Sequence, residues 1–372
     1  MNLPNFPIKF KPFFSLLTRQ PKNMALYDHS FHWSFVPCSA AKGMVIIMER
    51  KITTKITELF GIEKPILSGA MQWLAKAELV AAVSNAGGLG VISSASFATA
   101  EELRAEIKKT RELTDKPFGV NLTLMPSLAP PDYPSYVKVC AEEGVKIIET
   151  SGRLPDKLMP YFKQFGMITV HKCTCVKHAL KAQSIGCDAV IIDGFDAAGH
   201  VGENDIGTMS LCPAAVDALD IPVICAGGIG DGRGLAAALM LGAEGVVMGT
   251  RFFLSKEAPA LESVKEFVAK DVKETDTMLL LRRFTNTERA YKSESAKRIW
   301  ELETSGAPFE QIAPLASGKR LRLAMCETGD LQDGVLTIGE SVGIINDVLP
   351  VAEIMDNTMK QCFECIDRFS LR

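Results

Sequence analysis

The sequence predicts an α/β fold, a (β/α)8 TIM barrel over residues 49–257, with a small helical subdomain inserted after its eighth strand. Three observations predict it. Short β-branched, apolar runs recur from Lys64 onward, each followed by a Gly, Asn or Ser break and then a helical stretch. The runs are apolar almost throughout, which marks strands buried on both faces, as in a parallel sheet covered by helices. There are eight of them, enough to close a barrel rather than leave an open, doubly wound sheet.

The strand candidates begin with 65–71 (PILSGAM), 89–94 (LGVISS), 118–124 (FGVNLTL) and 145–151 (VKIIETS). They continue with 167–174 (MITVHKCT), 189–195 (AVIIDGF), 222–228 (PVICAGG) and 245–252 (GVVMGTRF). Helical patterns such as 75–86, 100–114 and 232–242 lie between them. Residues 258–330 are charged, helical and without β-runs, and read as a subdomain over the barrel mouth. Residues 331–372 read as a C-terminal helical segment that packs back on the barrel. Residues 1–48 are basic, with Asp28 their single acid, and match either an organelle transit peptide or an upstream extension. They are expected to be poorly ordered and take no part in the fold argument.

The bulk numbers narrow the function. With 47% apolar and 23% charged residues, the 372-residue chain has the composition of an ordinary enzyme with a sizeable core. A net charge of −3 argues against a nucleic-acid partner. No apolar run reaches the roughly 18 residues a membrane span needs. The ten cysteines fall in segments that read as core, so they are expected to be reduced thiols in a cytoplasmic protein. Cys173 and Cys175 alternate on one strand candidate, and Cys362 and Cys365 form a C-x-x-C with no second Cys or His pair nearby. No metal site is expected from them.

Barrel active sites lie at the C-terminal ends of the strands, and the polar and Gly-rich residues collect there. The seventh strand ends in Ala226-Gly227-Gly228-Ile229-Gly230-Asp231-Gly232, and the eighth in Met248-Gly249-Thr250-Arg251. The loops after strands seven and eight are the phosphate position of this fold, where glycines admit an anion and helix-start N–H groups face it. Turn glycines alone are the blander reading, disfavoured because both loops are Gly-rich. No G-x-G-x-x-G aligns on 227–234, so a mononucleotide phosphate fits better than a dinucleotide.

The first strand ends in Gly69-Ala70-Met71-Gln72-Trp73, which suits a flat aromatic ring. The third ends in Asn121-Leu122-Thr123, and the fifth carries His171-Lys172-Cys173. Lys172 is central, a costly place for an ammonium unless it faces an anion or a ring that takes up negative charge, as a reduced flavin does. The sixth strand runs through Asp193 and Gly194 to Gly199-His200-Val201, where the small residues leave His200 room to act as a general base. His178 falls in a helix and reads as a surface residue.

These motifs resemble the nitronate monooxygenase family (formerly 2-nitropropane dioxygenases), FMN-dependent TIM barrels, over about residues 52–325. The likeness rests on P-I-L-S-G-A-M-Q-W, G-V-N-L-T, H-K-C, D-G-F-D-A-A-G-H-V-G, A-G-G-I-G-D-G-R-G and M-G-T-R-F. It implies FMN held by Ala70, Met71, Gln72, Thr123, Lys172, Ala198, Gly227, Gly228, Gly249 and Thr250. It implies His200, with Lys172, as the catalytic pair, oxidising alkyl nitronates with O2. The stretch before His200 departs from the G-x-E-A-G-G-H of typical nitronate oxidisers and is more similar to a branch that reduces quinones with NADH. Enoyl-acyl-carrier-protein reductases are also relatives. The implied partners are small molecules, nitronate or NADH and quinone, with a homodimer possible. A flavin-binding sensor needs no open mouth with a placed His and Lys, which disfavours that class.

Overall fold

Alternation along the strands sets up two cores. The computed structural model describes residues 50–125 and 131–368, and the extension expected over 1–48 lies outside them. Eight strands form one parallel sheet: β1 (Ile66–Ser68), β2 (Gly90–Ser93), β3 (Phe118–Leu124), β4 (Ile147–Gly152), β5 (Ile168–Cys173), β6 (Ala189–Asp193), β8 (Val223–Ala226) and β9 (Gly245–Met248). The short β7 (Gly199–His200), between β6 and β8 in the chain, belongs to a second sheet. The order in the parallel sheet is β1-β9-β8-β6-β5-β4-β3-β2, and the ring closes where Leu67 pairs with Leu89 in a parallel bridge. The expected TIM barrel is present.

Successive strand residues face opposite sides. Leu67, Val91, Ile147, Val170, Ile191, Ile224 and Val247 fill the barrel interior together with Ile56 and Phe60. The last two belong to the helix Lys55–Phe60, which Thr54 caps by accepting from Thr57 N. The other strand faces join Leu79, Leu103, Ile107, Val137 and Phe162 of the surrounding helices in the larger outer core. Each such buried side chain contributes about 1.5–3 kcal/mol.

The segment after β9 has the expected helices, Glu262–Asp271 and Glu294–Thr304, but is not helical throughout. Two strands, β10 (Thr277–Leu280) and β11 (Glu288–Tyr291), form an antiparallel sheet with β7. These runs are too short and too mixed to read as strands alone, and pairing with a distant segment decides their conformation. The helix Val351–Arg368 packs on Gly232–Met240. A Cβ on Gly232 would stand 2.2 Å from Thr358 O, so a glycine is what lets the two helices approach.

The cysteine expectations need two corrections. β5 stops at Cys173, and Cys175 is the N-cap of the helix Val176–Ser184, so the two do not share a strand face. Cys212 and Cys225 form a disulfide across the contact between the helix Thr208–Ala218 and β8, where reduced thiols were expected. Among the described residues no helix is long and apolar enough to cross a membrane.

Candidate active site

The ends of the barrel strands surround a cavity of about 1220 Å³. Its floor follows from the two-residue period. Two positions past the interior residues Ile147, Val170 and Ile191 come Glu149, Lys172 and Asp193, on the same side of their strands, and the register steps them by two residues, setting Glu149 beside Val170 and Lys172 beside Ile191. Lys172 Nζ lies 3.8 Å from Asp193 Oδ2. Burial works against the Lys172 charge, but Asp193 and Glu149 outweigh it and hold the ammonium above its ordinary pKa. Burial pushes both carboxyls up, with Lys172 working the other way on each. Glu149 Oε1 accepts from Asn121 Nδ2 at 2.9 Å, while its buried Oε2 has no partner among the described residues. Thr123 donates to Asn121 Oδ1 at 2.7 Å.

Asp193 and Glu149 were not singled out from the sequence. The signal was present: both stand two residues after an interior Ile, as Lys172 stands two after Val170. His171, next to Lys172, points the other way, into the outer core. Its Nδ1 lies 2.8 Å from Thr150 Oγ1, and burial lowers its pKa to about 4.

The glycine loops expected to clamp a phosphate form one wall. Gly227 (φ 93°) and Gly228 (φ 73°) are left-handed. A Cβ on Gly227 would meet Thr208 Oγ1 at 2.8 Å and Gly194 O at 2.9 Å. Thr208 fastens the loop by donating to Ala226 O and Gly227 O, and its own N–H donates to Asp196 Oδ2 at 2.7 Å. Gly249 faces open space, with nothing within 4 Å of the point where a Cβ would stand. Among the described residues, the N–H groups of Gly228 and Gly249 have no acceptor. Unpartnered N–H groups beside a hollow free of side chains form an anion cradle.

One part of the expected clamp is corrected. The N-terminus of the helix Gly232–Met240 is already filled: Asp231 accepts from Arg233 N and Gly234 N, and Gln361 Oε1 accepts from Gly232 N at 2.8 Å. The cradle therefore relies on Gly228 and Gly249, not on that helix start. Thr250 lies beside it, and its hydroxyl accepts from Gly339 N at 3.1 Å.

Ala70, Met71, Gln72, Thr123, Ala198 and His200 all line the same cavity. Gln72 is partly committed, since its Nε2 donates to Ala95 O at 2.8 Å. His200 lies on β7 with its ring exposed to the cavity. Glu288 of β11 stands directly opposite it in register and lines the same space. The sequence offered no sign of Glu288, because only the β7–β11 pairing brings it there. His178 is exposed, as expected, and sits on the cavity rim.

A family model described as nitronate monooxygenase matches residues 53–361. The chain belongs to the nitronate monooxygenase family. It is an oxidoreductase of that family, and its relatives within reach carry several activities. One, from Rhodococcus jostii, is named (3aS,4S,5R,7aS)-5-hydroxy-7a-methyl-1-oxo-octahydro-1H-indene-4-carboxyl-CoA dehydrogenase; it is 33% identical over 85% of this chain and 97% of its own. A probable nitronate monooxygenase from Staphylococcus saprophyticus is 31% identical over 86% of this chain and 100% of its own. The solved structure of FabK from Thermotoga maritima superposes with a TM-score of 0.79 and 36% identity, covering 85% of this chain and 98% of that one.

Proposed function

We propose that this member of the nitronate monooxygenase family is an FMN-dependent enzyme that oxidises alkyl nitronates, with O2 as the final acceptor. The observation that carries the reading is that the anion cradle, Lys172 and His200 face one cavity. The fit to a mononucleotide rests on the two unpartnered N–H groups and on the open space at Gly249. The phosphate of FMN would be held by Gly227, Gly228, Gly249 and Thr250. Its ring would be held by Ala70, Met71, Gln72, Thr123, Lys172 and Ala198.

When bound, FMN supplies the two-electron acceptor that side chains cannot provide. Lys172 keeps a positive charge in the cavity floor, where added negative charge is stabilised. Asp193 holds that ammonium in place. His200 takes or returns a proton at the substrate.

A second reading is dehydrogenation of a coenzyme A thioester, as the name of the Rhodococcus relative says of that protein. Arg153, Lys177 and Lys181 favour it, since they line the mouth and form no ion pair among the described residues. Such a rim and so large a cavity suit a phosphorylated substrate bigger than a nitronate. NADH:quinone reduction and enoyl-acyl-carrier-protein reduction would use the same cofactor site.

The test is anaerobic mixing of the yellow, flavin-loaded protein with propionate 3-nitronate, NADH or an acyl-CoA. Rapid bleaching by the nitronate supports the proposal, and bleaching by another donor alone replaces it. A protein that cannot be loaded with FMN ends the flavin reading altogether.

A further inference from the structure

β7 and β11 place His200 and Glu288 opposite each other in an antiparallel pair. Directly opposed residues share a sheet face with Cβ atoms about 4.5–5.5 Å apart. Both line the cavity, and Glu288 is half-buried with no hydrogen bond or ion pair among the described residues. The charged groups around it are committed elsewhere. Glu203 accepts from Thr287 N and Thr287 Oγ1, Asp205 pairs with Arg282 at 2.7 Å, and Arg289 pairs with Glu340 at 2.8 Å. Leu280, its register partner on β10, is apolar. Among the described residues, His200 is the group left facing Glu288 whose charge can answer its own.

We propose that Glu288 is the positioning residue of His200, orienting the imidazole and balancing the positive charge it gains on taking a proton from the substrate. A base held by a third group is the general arrangement for proton abstraction in active sites. Burial raises the pKa of Glu288 and the His200 charge opposes that rise, so the imidazolium favours the ionised carboxylate opposite it.

The step balances without a further reactant. The substrate C–H bond breaks, its proton goes to His200, and the electron pair stays on the substrate as the nitronate anion. The Glu288 carboxyl faces the new imidazolium and carries none of the transferred proton in this step. A neutral nitroalkane needs this proton transfer, whereas its nitronate has already lost the proton.

The substrate arm of the test rests on the proposed nitronate chemistry. Flavin-loaded wild type, Glu288→Gln and Glu288→Asp are compared on nitroethane and on ethyl nitronate. In Glu288→Gln the ratio of nitroethane to ethyl nitronate turnover falls at least about tenfold, through kcat and with little change in KM, and Glu288→Asp restores part of it. A second arm needs no turnover: carbon NMR of labelled glutamate follows the Glu288 titration in wild type and His200→Gln. Loss of the imidazole raises the Glu288 midpoint. Equal loss on both substrates, or the same midpoint in both proteins, overturns the proposal. If neither substrate is oxidised, the nitronate reading fails and the titration alone decides the pair.

Discussion

Lys172 Nζ stands 3.8 Å from Asp193 Oδ2, with the Lys172 side chain 24% exposed and that of Asp193 6%. This ammonium is shared by two buried carboxyls, since Glu149 also acts on it. Lys172→Met keeps the length of the side chain and removes the charge. It leaves Asp193 buried without its partner, a loss of about 3 kcal/mol for pairs of this kind. Urea unfolding of the flavin-free protein measures it. Asp193→Asn with Lys172→Met should recover much of the loss, and a double variant no more stable than Lys172→Met would show that the pair is not the cause.

Glu149 acts on the same ammonium and has one oxygen unpartnered among the described residues. Burial raises its pKa above the ordinary 4.5, with Lys172 and Asn121 working the other way. The folded state thus binds the proton more tightly than the unfolded chain. Its contribution to stability is full below the unfolded pKa and is lost as pH rises toward the folded one. Glu149→Gln keeps an oxygen for the Asn121 N–H and cannot ionise. It should be more stable than wild type at pH 7, by on the order of 1 kcal/mol, and equal to it near pH 4. Denaturant melts at both values check this, and identical pH slopes would rule it out.

His171 predicts a slope of opposite sign. Burial lowers its pKa from 6.5 to about 4 in the folded state. Stability from this group is present above pH 6.5 and is lost as pH falls through the folded value. The shift corresponds to about 3 kcal/mol between the two pH values. Thermal melts of His171→Gln across this window should show a flatter acid limb than wild type. An unaltered limb would place the acid sensitivity elsewhere.

Lys172 could be found because a Lys inside an apolar β-run is conspicuous, and the barrel because its strands are locally apolar. Asp193 and Glu149 were within reach of the same argument, since extending the alternation of Ile147, Val170 and Ile191 by two residues leads to all three charges. Glu288 was not, because its place depends on β11 pairing with β7, far away in the chain, and its own segment carries no strand pattern. The filled helix start lies between these cases. Asp231 before Gly232-Arg233-Gly234 is a readable cap, but Gln361, which takes the Gly232 N–H, comes from the C-terminal helix.

The cradle separates binding from folding, because its two glycine walls differ. At Gly227 any side chain is strained by φ of 93° and meets Thr208 Oγ1 at 2.8 Å, so Gly227→Ala should destabilise the flavin-free protein by about 1–3 kcal/mol. Gly249 has φ of −99° and open space where a Cβ would go. Gly249→Ala should therefore melt like wild type while its methyl group enters the hollow. The expected loss of FMN affinity is about tenfold or more, equivalent to about 1.4 kcal/mol. Gly249→Val should lose more, again with little effect on the fold. Quenching of flavin fluorescence on titration with each apoprotein measures the affinity, and thermal melts measure the fold. If Gly249→Ala and Gly249→Val bind FMN as tightly as wild type, the phosphate does not lie against Gly249, and the cradle must be placed elsewhere in the cavity.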